Sequence, residues 1–547
     1  MLSVLIQSYT SQSEDDEQLW NALQILQVLH DSTTHLPALD RLIVRLLTTS
    51  RTDSAVPCLI AAVLHSAHTA LETANNAHTL RIQWLNHVFV ALHKHPHHAG
   101  VLQSASAWLS SESVALVHHT PQLHAQVTSQ LTAELFDNLA QHNATLRRRT
   151  LDLLQHLQPC TENYAVALVE LCSHVEYSPL TATESKIVVR HIDNVREYLV
   201  RHSVNSIERA LICSYMIGTL HIRFAPMHPA TNQVLVTLAQ QDFAQFWELF
   251  LQYLQRGFEA QDTYLKQHSV TVNDDEEDDE SDDENDNEPP ALETPVNAPT
   301  EHTTPFSESV RQDSERSDIQ ALTTHLDRLW AVLLAMPQTV ERHSRVLVPL
   351  FLDFYSRYYD ATVTNESGSD SNVTQVSDKK LVHDKLCQFL SLFAQFKNAK
   401  SVHRANTLLA IYRSLLQRNH FKMQQLALQC ISAWKFDYVT PYKEHLDRLI
   451  DEKSFREELA VLKFGGPSDM HTDGLVLSQH RAALAPLVID ILYPKLTARK
   501  ARTGKVRFWM QSNVVTHSPY LENTASEAWC NLELLITATS QRARTPV

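Results

Sequence analysis

Glycine is scarce in this chain, and its scarcity limits the folds that the chain can adopt. Only 8 of the 547 residues are glycine, whereas globular proteins contain about 7%. Glycine is the usual residue of hairpin turns and of backbone positions with positive φ. A fold rich in tight β-turns is therefore disfavoured, and we expect helices.

Apolar residues recur with helical spacing along most of the chain. One stripe contains Phe243, Phe246, Trp247, Phe250, Leu251 and Leu254. These positions follow i, i+3, i+4, i+7, i+8 and i+11, which is one face of an α-helix. The spacing recurs from Met423 to Trp434 and, with one position missing, from Leu322 to Leu333. Strand-like alternation is rare, so the pattern predicts an all-α fold.

Three short patterns predict helix starts. Each has Ser or Thr followed three residues later by Glu or Gln, the capping box that satisfies two backbone donors at a helix N-terminus. They are Thr181 with Glu184, Ser317 with Gln320, and Ser454 with Glu457.

Helices are expected in pairs that span about 35–45 residues, a spacing typical of HEAT/armadillo-type repeats. Two examples are 121–141 with 145–157, and 402–418 with 421–434. Such a pair cannot bury its apolar face alone and stacks on its neighbours. We predict a degenerate HEAT/armadillo-type α-solenoid; an irregular all-α fold is the alternative.

The chain is too long for a single core, which stops growing near about 250–300 residues. We predict an N-terminal segment, a first helical array, a disordered acidic linker, a second array with a flexible insertion at 361–378, and a tail with a basic loop. Their bounds are 1–14, 15–265, 266–316, 317–500 and 501–547.

An acidic tract lies inside the predicted linker. Residues 274–288 contain 12 acidic residues and no basic one, so the remainder of a chain with net charge −16 is close to −4. Such a tract is either a solvated, extended spacer or a site that attracts basic partners. Ser281, followed by three acidic residues, also suits an acidophilic kinase.

Cysteine and histidine usage indicates neither a metal site nor a disulfide framework. The seven cysteines lack CxxC spacing and suit a reducing compartment. The densest histidine group, at His93, His95, His97 and His98, lacks the carboxylates or thiolates typical of zinc sites and is better explained as polar surface. No segment has the length and apolarity of a membrane span or a secretory signal.

Catalytic motifs are also missing from the sequence. We find no phosphate-binding glycine loop, nucleophile elbow or kinase catalytic loop. We therefore expect no enzyme activity, no cofactor and no small-molecule substrate.

A basic segment near the C-terminus is the candidate RNA contact. Six cations and no acidic residue occur within 495–507: Lys495, Arg499, Lys500, Arg502, Lys505 and Arg507. Such clusters contact phosphates without reading sequence, or act as nuclear-import signals; a solvated loop is the alternative. Arg147, Arg148 and Arg149 are weaker candidates, because adjacent positions on a helix point in different directions.

Three stretches between 380 and about 500 carry a family resemblance. They are FAQFKNAKS (393–401), WKFDYVTPYKEHLDRLIDEKSFREEL (434–459) and HRAALAPLVIDILYPKL (480–496). These resemble the conserved core of the small-subunit processome component 20 (Down-Regulated-In-Metastasis) family. A fainter similarity covers 187–257. Pro494 departs from the family pattern, as do the residues after about 507. Family members are far longer, so the chain is expected to be a fragment.

The resemblance implies a non-catalytic nucleolar scaffold that supports small-subunit rRNA maturation. It implies pre-ribosomal proteins, the small nucleolar ribonucleoprotein and pre-rRNA as partners, in the nucleus. A karyopherin-like HEAT-repeat transport receptor, or another protein-binding scaffold, is the alternative; the 434–459 stretch argues against a transport receptor.

Overall fold

Every element that the structure describes is helical. The computed structural model describes ten ranges: 36–48, 55–72, 78–110, 134–161, 164–267, 305–360, 379–418, 420–451, 453–462 and 476–497. Within them there are α-helices, short 3-10 turns and one π-helical segment, and no β-strand. The predicted all-α class is confirmed. None of these helices has the length and apolarity to cross a membrane.

The chain divides into two compact units. Unit 1 comprises Met1–Gln261 and Thr304–Val332, and unit 2 comprises Asp262–Thr303 and Leu333–Val547. The division predicted from sequence, into 15–265 and 317–500, remains a prediction.

The helices of unit 1 follow one another with short joints. They are α1 Leu36–Thr48, α2 Ala55–Glu72, α3 His78–Lys94, α4 Ala99–Ser110, α5 Ala144–Thr161, α6 Val166–Glu176, α7 Ser185–Arg201, α8 Ser206–Thr219, α9 His228–Gln241, α10 Phe243–Gln267 and α11 Pro305–Ala335. The last two extend a few residues past the unit's bounds. A short helical segment at 134–139 precedes α5.

Unit 2 has shorter helices. They are α12 Pro337–Arg342, α13 Ser344–Phe354, α14 Lys379–Phe393, α15 Ala405–Leu416, α16 Phe421–Ser432, α17 Lys443–Ile450, α18 Phe455–Val461 and α19 Ser478–Thr497, with a π-helical segment at Tyr355–Asp360. The predicted pair 402–418 with 421–434 is observed as α15 and α16. Of the predicted pair 121–141 with 145–157, residues 121–133 lie outside the described ranges.

Five buried hydrogen bonds join positions that are 39 to 44 residues apart in the chain. They run from Ser104 to Ala61, Trp108 to Leu64, Asn138 to Pro96, Tyr215 to Glu176 and Cys430 to Leu390. This separation is the length of two helices with their joints. Other buried bonds span 29 residues, from Arg147 to Glu176, and 64 residues, from Tyr359 to Met423.

A buried ion pair lies at the centre of unit 1. The guanidinium of Arg147, on α5, donates to both carboxylate oxygens of Glu176, on α6, at 3.0 and 3.2 Å, and both side chains are 1% exposed. Arg147 Nη1 also donates to the carbonyls of Gln141 and His142, at 2.7 and 2.9 Å. Tyr215 donates to Glu176 from α8, and burial raises the pKa of its hydroxyl. Three helices and the joint before α5 are thereby fixed together.

Two exposed or half-buried arginines in unit 1 contact residues more than 100 positions earlier in the chain. Arg256, on α10, pairs with Asp137, which is 119 residues earlier. Arg328, on α11, donates to the carbonyls of Leu220 and Ile222, the latter at 3.0 Å, after the C-terminus of α8. These contacts hold the late helices of the unit against earlier ones.

Two helix starts show what satisfies the first backbone donors. Asn205 and Glu208 form a complete capping box at α8, with Glu208 N–H donating to Asn205 at 2.8 Å and Asn205 N–H donating to Glu208 at 2.9 Å. Glu208 also accepts from Ala165 N–H at 3.0 Å, so one carboxylate serves the starts of α8 and α6.

The three predicted capping boxes are not observed as such. Thr181 accepts from Glu184 N–H in a turn before α7 begins. Ser317 lies inside α11, where the helix continues through it. The hydroxyl of Ser454 donates to Arg448 O instead of capping α18. The Ser/Thr-x-x-Glu/Gln pattern alone therefore does not determine where a capping box forms.

The bounds of the predicted disordered linker need correction. Residues 268–304, including the acidic tract, lie outside the described ranges, as do 361–378 and 501–547. Residues 305–316, which the prediction includes in the linker, are helical because α11 begins at Pro305. Proline is tolerated at the first helical position, and no further Pro or Gly interrupts the chain before Ala335.

One glycine in unit 1 has no room for a side chain. A Cβ on Gly218, in α8, would lie 1.9 Å from the carbonyl oxygen of Leu139, so the backbones of two elements meet there. A Cβ on Gly257, in α10, would meet only the end of the Leu326 side chain, at 2.6 Å. A flexible side chain can move aside, whereas a backbone carbonyl cannot without shifting its helix.

Gly218→Ala should destabilise unit 1 by about 1–3 kcal/mol, the usual cost of overpacking, although alanine is the better helix former. Gly257→Ala is the matched control and should be neutral or stabilising by up to about 1 kcal/mol. Urea unfolding followed by circular dichroism measures both. Equal effects of the two substitutions would contradict the close backbone approach.

Arg147→Met should destabilise unit 1 by about 3–5 kcal/mol, because Glu176 is left buried without its cation. The double variant Arg147→Met/Glu176→Leu should recover part of this loss, since no buried charge remains. The same unfolding measurement applies. A double variant less stable than Arg147→Met would show that the carboxylate is not the source of the cost.

Candidate functional site

Lys495, the first cation of the predicted RNA contact, is engaged within the fold. It lies on α19, and its Nζ donates to the carbonyls of Leu449 and Ile450, at 2.7 and 3.0 Å, at the C-terminus of α17. The ammonium is also 3.9 Å from the centre of the Phe455 ring. A cation at a helix C-terminus compensates the unpaired carbonyls there. Lys495 therefore joins α17, α18 and α19.

The other five residues of that prediction, Arg499, Lys500, Arg502, Lys505 and Arg507, lie outside the described ranges. RNA contact through them stays a prediction. The structure changes the interpretation of Lys495 alone, because two of its three donors are used by backbone carbonyls.

Tyr442 organises the centre of the family-like region. A 3-10 turn at Thr440–Tyr442, with Pro441 inside it, leads into α17. The Tyr442 hydroxyl accepts from Leu477 N–H at 2.9 Å, and its ring meets the edge of His480 at the start of α19. These motif residues position helices on one another.

Two buried carboxylates in the same region have structural partners. Asp490, on α19, accepts from Arg413 on α15 at 2.8 Å and from Gln417, the residue after α15, at 2.7 Å. Its side chain is 1% exposed, and burial raises the pKa of its carboxyl while Arg413 opposes the rise. Glu458, on α18, bonds His445 at 2.6 Å. Both carboxylates are buried and join elements of the fold.

An aromatic stack follows α16. The ring centres of Trp434 and Phe436 are 5.5 Å apart, and those of Phe436 and Tyr438 are 5.1 Å apart, with planes inclined by 21° and 25°. Lys400, in the joint before α15, places its ammonium 5.4 Å from the centre of the Phe436 ring. The stack thus connects the joint that precedes α15 with the one that follows α16.

Two titratable groups of this region, Lys385 and Cys430, are buried. Lys385 has its pKa lowered to about 7 by burial, but it is 8% exposed and lies over the Phe354 ring. Cys430 donates to Leu390 O, and burial raises the pKa of its thiol. Both side chains are thus shielded from solvent.

The histidine group in unit 1 ties helices together. His97 bonds Asn138 at 2.6 Å, and His98 contacts Cys58 Sγ at 3.4 Å. Burial lowers the pKa of His95 and His98. Among the described residues, no three potential ligands are placed to hold a metal ion. The prediction treated these histidines as polar surface, whereas His97 and His98 contact other elements.

The tripeptide Arg147–Arg149 has three different environments. Arg147 is buried with Glu176, Arg148 lies 5.5 Å from the centre of the Tyr177 ring, and Arg149 is near Asp152. Adjacent helical positions do point in different directions, so the three cations do not form one phosphate site.

Lys495→Met should destabilise unit 2 by about 1–2 kcal/mol, because two charge-assisted hydrogen bonds at the end of α17 are lost. Lys453→Met, at an exposed lysine with no ion pair to a described carboxylate, is the control and should be within about 0.5 kcal/mol of the parent. Thermal unfolding measures both. A neutral Lys495→Met would mean that its contacts contribute nothing to the packing of α19.

Comparisons with known proteins agree with the sequence resemblance. Residues 380–511 match the family model described as U3 small nucleolar RNA-associated protein 20, N-terminal. The chain is 24% identical over 357 residues to U3 small nucleolar RNA-associated protein 20 of Saccharomyces cerevisiae, and 21% identical over 392 residues to the protein of that name in Schizosaccharomyces pombe.

These alignments cover 64% and 68% of this chain, but only 14% of each relative. The helices α14 to α19, with Tyr442 and Lys495 at their contacts, all lie within or at the edge of the segment that the family model matches. The chain is thus a homologue of the U3 small nucleolar RNA-associated protein 20 family.

Proposed function

We propose that this chain is a non-catalytic scaffold of the small-subunit processome, and that it supports pre-rRNA processing and the biogenesis of the small ribosomal subunit. The observation that carries the proposal is the family-model match at 380–511. Within the matched segment, Tyr442, Asp490 and Lys495 hold helices against one another. A structural role fits side chains used in this way.

The repeat geometry supports a scaffold of the HEAT/armadillo type. Buried hydrogen bonds connect residues 39 to 44 positions apart, which is close to the repeat length of about 40–47 residues in those families. Stacked helix pairs of this kind provide extended binding surfaces. We propose two such arrays, joined by the acidic linker that the sequence predicts.

The names of the two yeast relatives indicate the partners that we propose for this chain. Both are U3 small nucleolar RNA-associated proteins, so we propose the U3 ribonucleoprotein, pre-ribosomal proteins and pre-rRNA as partners, and the nucleolus as the location. This chain aligns to a seventh of each relative. We therefore assign to it only those contacts with the assembly that its own helices make. The acidic tract at 274–288 would be a spacer or a contact for basic partners.

Affinity purification of the tagged full chain from nuclei tests the proposal. Processome proteins and pre-rRNA should be recovered together, as measured by mass spectrometry and RNA sequencing. The control is the variant Arg147→Met, in which unit 1 is destabilised while the family-like region is unchanged. Recovery of transport cargo and a small GTPase, without pre-rRNA, would overturn the scaffold and favour a karyopherin-like receptor.

A further inference from the structure

The segment around α15 and α16 is strongly basic in a chain that is acidic overall. Residues 394–443 contain eight lysines and arginines and one acidic residue, Asp437, whereas the whole chain has a net charge of −16. Arg413 is the only one of these eight cations that forms an ion pair with a described carboxylate, that of Asp490. The other seven form no ion pair with a described carboxylate, although Lys443 interacts electrostatically with Asp447.

Four of these cations lie at one end of the helix pair. Because α15 and α16 pack as an antiparallel pair, the joint before α15 and the joint after α16 meet, and the contact between Lys400 and Phe436 shows where they do so. We call this end the loop-end surface. It comprises Lys397, Lys400, Arg404, Lys435, Phe436 and Tyr438. All four cations are exposed.

The backbone is strained at two positions of the loop-end surface. Arg404 has φ 52° and Lys435 has φ 51°, and they are the only described residues other than glycine with positive φ. A residue with a Cβ is unfavourable in this region, and glycine would be the natural choice. Strained residues that persist tend to cluster at functional sites. Here both strained residues are cations, and both border the same pair of joints.

The aromatic stack gives the loop-end surface flat rings beside its charges. Trp434 is buried at 7% exposure and anchors the stack, while Phe436 and Tyr438 are half-buried. Tyr438 is the last ring of the series, next to one that already stacks at 5.1 Å. Cations that alternate with partly exposed rings are the arrangement by which proteins hold single strands, with phosphates on the cations and bases on the rings.

We propose that the loop-end surface binds single-stranded RNA. Lys397, Lys400 and Lys435 contact phosphates, and Tyr438, supported by Phe436, stacks on a base. An acidic peptide would use the charges but has no use for the rings, and duplex RNA is recognised mainly through its backbone and shape. The inference deepens the proposed function, because it names the class of RNA and the surface that binds it. The observations that support it all lie on the loop-end surface.

Binding of the purified full chain to a fluorescent single-stranded RNA of about 12 nucleotides tests the inference. Fluorescence anisotropy at several salt concentrations gives the affinity and its salt dependence. The triple variant Lys397→Gln/Lys400→Gln/Lys435→Gln should lower the affinity and reduce the salt slope by about 2, as expected for three lost phosphate contacts on a single strand. The triple variant Lys186→Gln/Lys422→Gln/Lys453→Gln changes the net charge equally at exposed lysines elsewhere and should leave the slope unchanged.

Two further variants separate binding from folding. Tyr438→Leu keeps an apolar side chain but removes the ring, and should weaken RNA binding about tenfold with an unchanged salt slope. Lys435→Gly relieves the positive φ, and should raise the unfolding temperature of unit 2 while weakening binding. A merely structural role for Lys435 would not produce opposite changes in these two quantities.

Three outcomes would overturn the inference. They are equal loss in both lysine triple variants, unchanged affinity in Tyr438→Leu, and competition by a poly-glutamate peptide as effective as unlabelled RNA. The proposed function fails separately: if RNA binds through the loop-end surface but nuclear purification recovers no processome proteins, the surface is retained and the assembly role is lost.

Discussion

The constraint on which this structure depends is that a pair of amphipathic helices cannot cover its own apolar face. Within each unit the apolar faces are covered by neighbouring helices, so the interfaces between helices contain the core. Trp108 illustrates this: its ring is buried between helices, and its indole N–H donates to Leu64 O at 2.9 Å, one pair earlier. Apolar burial drives the packing of the helices, at about 25 cal/mol per Å², but does not fix their relative orientation.

The buried polar groups fix the relative orientation of the helices. Apolar faces tolerate sliding and rotation, whereas a hydrogen bond from a buried side chain has one partner at one distance. Glu176 can accept from Arg147 and Tyr215 only when α5, α6 and α8 are in a single arrangement. Asp490 has the same effect on α15 and α19 through Arg413 and Gln417. Leaving either carboxylate unpaired in the interior would be costly, so alternative stackings are disfavoured.

Local pattern and long-range contact differ in how well the sequence reveals them. The stripe from Phe243 to Leu254 is visible in the sequence because it depends only on helical period. On α10 four of its six residues are buried, and Phe243 and Leu251 are half-buried. The role of Lys495 could not be predicted, because its acceptors are 45 and 46 residues away. The basic excess at 394–443 was not predicted as a site, although counting the charges in the sequence reveals it. The meeting of Lys400 with Phe436 needs the three-dimensional structure.

The arginines that reach beyond the adjacent pair have a consequence for how unit 1 opens. If every bond joined only neighbouring helices, the unit could open locally from either side, as repeat proteins do. Arg256 and Arg328 connect helices more than a hundred residues from their partners. Opening either partner of these contacts would break them, so the early and late helices of unit 1 are coupled. We therefore expect unit 1 to unfold more cooperatively than it would with contacts between neighbouring helices alone.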